Sequence, residues 1–288
     1  MAAKKKVPVD PSRDAQFDLA FERLTGLVDL SLANELHPVR GNAVYTSSVV
    51  LWMLVYQRMN PDTSLEAAVK KLIDSRPDFL PDNKRIIEGT LSTNTSSYSQ
   101  ARSRLPCNVA EWFAGEVSRS LIHASSPTLG QRRVFLFDGT TITLAPEHEL
   151  QQAFPPASNQ HGEGVWPVAL LVVAHELASG AALLPEVGAM YGPEAVSETA
   201  LVHQHLAQLP PDSVVMADAG FGIFSVAHAG VEAGHPFVFR MTKQRFEALK
   251  KQAEPIADDD DIRTWSHVWR PTSKVRKTNP DLPADAQL

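Results

Sequence analysis

The chain has 288 residues, enough for one large domain or two ordinary ones, and its 43% hydrophobic and 21% charged content excludes a disordered chain. A single cysteine, Cys107, excludes an internal disulfide framework and fits a reducing compartment. The formal net charge of −6 argues, taken as a bulk number, against a nucleic-acid partner.

Residues 1–12 read as a mobile polar leader with Lys4, Lys5 and Lys6, lacking the apolar segment of a signal peptide. Helical spacing begins with Phe17, Phe21, Leu24 and Val28. The longest apolar run, Val44 to Tyr56, is interrupted by Thr46, Ser47 and Ser48. It falls well short of the roughly 20 residues that a membrane span needs. It predicts a buried helix capped by Thr46 or Ser47 and ended by Asn60-Pro61. Leu65, Val69, Leu72 and Ile73 mark the next helix, after Asp62 to Ser64. Residues 74–96 read as a loop. SYSQARSRLP reads as a short helix stopped before Pro106, and Val109, Trp112, Phe113, Val117 and Leu121 form one more stripe. Residues 13–132 are therefore expected to be an all-helical region.

The texture changes at Val134. VFLFDGTTITL is β-like, although Asp138-Gly139 between two β-like runs is also a hairpin signal, with VFLF and TITL as its arms. Ala145 to Gly164 reads as a long polar loop. VWPVALLVVAHE is β-like, and ASGAALLPEVGAM is its partner after a Ser179-Gly180 turn. A helix from Glu194 to Leu209, a strand SVVMAD, a helix from Ile223 to Ala233 and a strand PFVFRM follow. The order of three strands, helix, strand, helix, strand implies an α/β core over residues 133–243, a mixed five-stranded sheet with flanking helices. Residues 244–253 read as a helix, 255–261 (PIADDDD) as an acidic linker, and IRTWSHVWRP as the start of a β-unit.

The charge is unevenly spread. Residues 134–242 hold 11 Asp and Glu against one cation, Arg240, whereas residues 1–133 hold 17 Lys and Arg against 14 acids. Unpaired acids form a solvated face or a site for a hard divalent cation. Asp138 on the first strand and Asp218 at the end of the fourth are the pair in question. In a sheet of this order the first and fourth strands can be neighbours. Two converging carboxylates repel unless a cation neutralises them, and metals held this way serve phosphodiester chemistry. Each acid also has a plain reading as a turn residue. Other chemistries find less support. His203 and His205 lie about 200° apart on a helix and cannot share a ligand from one face. Thr140 stands where an Asp-nucleophile phosphatase needs a second Asp, and no Walker loop, paired-cysteine site or Gly-x-Ser-x-Gly elbow occurs.

Taken in order, SYSQARSRLP, FLFDGTTITL, AFPPASNQHGEGVWPVALLV, VVMADAGFG and PFVFRMT resemble the motifs of DDE transposases of bacterial insertion sequences, specifically the IS-four family. The resemblance spans most of the chain. It implies a ribonuclease H-like core and makes Asp138 and Asp218 the first two of three metal-binding acids, with Mg²⁺ or Mn²⁺ as cofactor. Transposon-end and target DNA become the partners, with a homodimer in a synaptic complex, no membrane, and a cytoplasmic, nucleoid-associated location. The helical region could supply phosphate contacts through Lys4 to Lys6, Arg102, Arg104, Arg132 and Arg133, although most of these read more plainly as surface charges. Two departures stand out. Ala219 occupies the position after the second Asp where the family often has Arg. The family's third acid lies in Tyr-x2-Arg-x3-Glu-x6-Lys, but no Tyr follows Tyr191, and Glu247 and Glu254 come too early. Residues 244–288 are then the start of a β-rich insertion. The expectation is a C-terminally truncated transposase, inactive alone. The competing expectations are a non-catalytic DNA-binding or dimerising inhibitor or remnant, and a product unable to fold.

Overall fold

The apolar stripes of the N-terminal region become helices because each can bury one face against the others. The computed structural model describes residues 11–60, 63–159, 162–258 and 263–288, and the chain divides into two units, Met1–Leu121 and Ile122–Leu288. The first unit holds α1 (Pro11–Leu27), α2 (Leu32–Leu36), α3 (Ser47–Met59), α4 (Leu65–Ser75), α5 (Lys84–Ile87), α6 (Ser96–Arg104) and most of α7 (Cys107–Ala124). The ring of Trp52, fully buried on α3, meets Phe17 and Phe21 of α1 edge-on at 5.2 and 4.9 Å. Ser64 caps α4 by accepting the Ala67 N–H at 3.1 Å. Thr46 precedes α3, but its hydroxyl bonds that of Ser48 at 3.0 Å instead of a backbone N–H. Residues 74–96 are not a plain loop. They contain a 3-10 turn, Pro77–Phe79, and α5, whose N-cap Asn83 accepts the Arg85 N–H at 2.9 Å. The leader residues 1–10 lie outside the described residues.

In the second unit the alternative reading, a hairpin at Asp138-Gly139, does not form. β1 (Val134–Thr143) runs straight through the dipeptide and pairs antiparallel with β3 (Gly162–Glu176), from Phe135 opposite Glu176 to Thr143 opposite Val168. The strong local turn signal loses to a long ladder of backbone hydrogen bonds and to Phe135 and Phe137, both buried on one face. The polar loop 145–164 also carries structure: α8 (His148–Ala153) and β2 (Pro156–Asn159), which pairs antiparallel with β3. Pro156 is tolerated as the first residue of its strand, where its missing N–H costs little. β4 (Glu186–Ala189) pairs with β3, while β5 (Val214–Ala217) pairs parallel with β1, and β6 (Phe237–Phe239) pairs parallel with β5. The sheet is therefore mixed and six-stranded, ordered β2-β3-β1-β5-β6 with β4 also on β3. One strand more than expected comes from β2.

α9 (Glu198–Leu206) and α10 (Phe224–Glu232) cover one sheet face, where Leu201, Val202, Leu206 and Val226 pack with Phe135, Phe137, Ala174, Val215 and Ala217. α11 (Lys243–Lys250) follows the sheet. The stretch expected as an acidic linker is instead a strand in part: β7 (Glu254–Asp258) pairs antiparallel with β8 (Arg263–Ser266), and Asp259 to Asp261 lie outside the described residues. α12 (Ser273–Thr278) comes last. No described helix is long and apolar enough to cross a membrane.

One polar knot locks the base of the sheet. Glu176, fully buried, accepts the Ser179 N–H at 2.7 Å and the Ser179 hydroxyl at 2.6 Å, and pairs with Arg133 at 3.4 Å. Arg133 also donates to the Ser125 carbonyl at 2.9 Å. Burial alone would raise the Glu176 pKa; the Ser179 hydrogen bonds and Arg133 outweigh it and hold the carboxyl below its usual range. His205 is fully buried with both ring nitrogens lacking hydrogen-bond partners among the described residues, and burial pushes its imidazole down.

Both groups bind protons more readily unfolded than folded, so both remove stability as pH falls. The His205 loss starts as pH drops through 6.5, its ordinary value, and the Glu176 loss starts below 4.5. Urea midpoints measured against pH are expected to fall in these two stages, the first reduced but not abolished in His205→Leu, because partial desolvation also holds the His203 imidazole down. Glu176→Ala, which strands Arg133, is expected to cost about 3 kcal/mol at neutral pH.

Candidate metal centre

The parallel ladder between β1 and β5 runs from Val134 opposite Val214 to Phe137 opposite Ala217, so Asp138 and Asp218 are the next residue on each strand. Side chains alternate along a strand. Phe137 and Ala217 face the helices, which turns Asp138 and Asp218 to the opposite face. That face is not covered around them: Leu136 is 38% exposed, Val238 is 51% exposed, and both carboxylates are exposed. The parallel ladder of β5 with β6 ends with Ala217 opposite Phe239, so Arg240 is the next residue there. Asp138, Asp218 and Arg240 thus form one row across three neighbouring strands. The sole cation of residues 134–242 stands at the end of that row, a placement that composition alone did not reveal.

The loop after β5 is built for a close turn. The Gly220 N–H donates to Asp218 Oδ1 at 2.7 Å, so the turn reading of Asp218 is correct for one of its oxygens and leaves Oδ2 free of it. A Cβ on Gly222 would stand 2.6 Å from the Arg240 carbonyl oxygen, so only glycine lets the loop lie against the end of β6. Arg245, in the first turn of α11, donates to the Ala219 carbonyl at 3.1 Å and also to that of Gly222. A guanidinium therefore holds this loop although Ala219 itself has none. Gly139 serves a second close approach: a Cβ there would meet Glu198 Oε1 at 2.6 Å. Glu198 opens α9, so its carboxylate lies over β1 on the helix side, the opposite face to Asp138.

The donor set fits a hard, partly hydrated cation. Neither Asp138 nor Asp218 makes an ion pair among the described residues, and three of their four oxygens accept no hydrogen bond there. Mg²⁺ is often held by one or two carboxylates, with water and phosphate oxygens completing its shell. No group of three or more His, Cys, Asp or Glu placed to share one ion occurs among the described residues. The other candidates separate cleanly. His205 is buried against Phe137, ring centroids 5.4 Å apart, and His203 is exposed. Two of the candidate phosphate contacts are already engaged, Arg132 with Asp212 at 2.9 Å and Arg133 with Glu176. Arg102 and Arg104 are exposed on α6, and Lys4 to Lys6 lie outside the described residues.

The chain matches no protein-family model, and no curated protein is detectably similar to it in sequence.

Because Gly222 packs against backbone, Gly222→Ala is expected to cost about 2 kcal/mol through overpacking. Thermal melting with and without Mg²⁺ checks this: the variant melts lower, and Mg²⁺ raises its melting temperature less than that of the wild type, since the displaced loop carries Asp218.

Proposed function

We propose that the second unit is a ribonuclease H-like core of the DDE transposase type, a family that cleaves and transfers DNA strands at transposon ends with a divalent metal, and that with two of the three acids it is inactive alone. The observation that carries this reading is the shared row of Asp138 and Asp218 on adjacent parallel strands, on the face left open by α9 and α10. The strand order β3-β1-β5-β6, with β1 antiparallel to β3 and parallel to β5, supports it, as does the motif order in the sequence. Asp138 and Asp218 would hold Mg²⁺ or Mn²⁺ through carboxylate oxygens. Such an ion supplies an activated water or 3′-hydroxyl and stabilises the leaving oxygen at a phosphodiester. The protein's own part is to fix the two carboxylates in one register, to keep the face open to a strand of DNA, and to set Arg240 beside the pair for a phosphate oxygen. A homodimeric synaptic complex and a cytoplasmic, nucleoid-associated location accompany this reading.

A second reading has its own support. These 288 residues contain no Tyr-x2-Arg-x3-Glu-x6-Lys stretch, and among the described residues no group of three acids is placed to share one ion. Such a chain binds DNA or a full-length partner without efficient cutting. Nicking of supercoiled plasmid in Mn²⁺ tests whether two acids suffice. The 288-residue protein is expected to nick no faster than buffer. Robust nicking that disappears in Asp138→Ala would establish the catalytic reading and eliminate the need for a third acid. Robust nicking that persists in both Asp138→Ala and Asp218→Ala would remove the site from the chemistry altogether.

A further inference from the structure

We infer that the first unit carries a phosphate-binding groove that seats the backbone of duplex DNA, with Arg40, Arg85 and Arg104 as its anchors. The groove encloses about 870 Å³ between the segment after α2, α5 and α6. Every residue that lines it is neutral or basic, in a chain whose net charge is −6. Such a local reversal of sign is what an anion would find. The three guanidiniums come from three separate elements, and His37, Asn94 and Gln100 add further polar groups between them.

The arginines are free to engage a ligand. None of the three has a carboxylate partner among the described residues, unlike Arg132 and Arg133. Arg104 makes only a 3.4 Å contact with Gln100 Oε1, four residues earlier on α6. The wall is also held in place without a ligand. Asn83 donates to the Asn42 carbonyl at 2.9 Å while its Oδ1 accepts the Arg85 N–H, which ties the start of α5 to the segment that bears Arg40. All three arginines are exposed. A small-molecule site encloses most of its ligand; an open groove with spaced, solvated guanidiniums suits a long polyanion lying across it. Residues 1–121 nearly balance, with 15 Lys and Arg against 14 Asp and Glu, so a polyanion meets far less repulsion on this unit than on the acid-rich residues 134–242.

The choice of DNA as the polyanion rests on the proposed function; the groove itself uses neither Asp138 nor Asp218. Anisotropy of a labelled duplex is therefore read with the full chain in EDTA, where no cutting or metal is needed, as salt is varied. Replacing Arg40, Arg85 and Arg104 together by Ala is expected to weaken binding more than about tenfold at low salt and to lower the slope of log affinity against log salt by roughly 2 to 3. The corresponding Lys variant keeps most of the affinity, which shows that loss in the Ala variant is not misfolding. The readout needs no metal and no cutting, so failure of the metal-centre reading leaves this outcome intact. The inference is overturned if the triple Ala variant binds within about twofold of the wild type, or if Ala at Arg23, Arg58 and Arg119, exposed outside the groove, costs as much. It is also overturned if inorganic phosphate or a free nucleotide saturates the groove while duplex binding ignores it.

Discussion

Everything proposed for the second unit depends on one register. β1 and β5 lie parallel with Phe137 opposite Ala217, and a single further step on each strand reaches an aspartate. A shift of one residue in either strand would turn one carboxylate toward Leu201 and Val202, into an apolar layer that could not hold it unpaired. The register is thus fixed by the same apolar side chains that decide which face the acids take. Core packing and site geometry are two consequences of one alternation.

The electrostatics follow from that placement. Two neighbouring carboxylates with no ion-pair partner repel each other, and the surrounding 109-residue stretch from 134 to 242 has one Arg to offset its acids. That Arg stands at the end of the same row, and neither carboxylate of the pair has an ion-pair partner among the described residues. The loop behind Asp218 is pinned by Gly222 against β6 and by Arg245 against two carbonyls, so one of the two carboxylates is held by backbone rather than left to a flexible end. Elsewhere in the unit the same chemistry serves stability: buried Glu176 pairs with half-buried Arg133, and Ser125 and Ser179 satisfy them.

What the sequence made legible was local and periodic. The stripes Phe17, Phe21, Leu24, Val28 and Leu65, Val69, Leu72 mark helices, and the alternation of strands and helices after Val134 gives the mixed sheet and the neighbourhood of its first and fourth strands. What it hid was decided at long range. Asp138-Gly139 carries a strong hairpin signal, yet its fate is set by pairing with Val173 and Val172 on β3. Pro156 reads as loop until an overhanging end of β3 offers a partner for β2. The acids of PIADDDD suggest a linker, but β8 supplies an edge for β7 to pair with. Arg132 and Arg133 look like surface charges of equal standing, while one holds an exposed loop acid and the other a buried one. The groove around Arg40, Arg85 and Arg104 joins residues 64 positions apart, beyond any motif.

The central claim is that Asp138 and Asp218 hold one divalent cation jointly. Calorimetric titration of Mn²⁺ into the wild type, Asp138→Asn, Asp218→Asn and the double variant tests it most directly. Joint ligation predicts one site, a loss of at least about tenfold in affinity in each single variant, and little further loss in the double, because two ligands of one ion couple. Unchanged affinity in both single variants, or two independent losses that simply add, would contradict it.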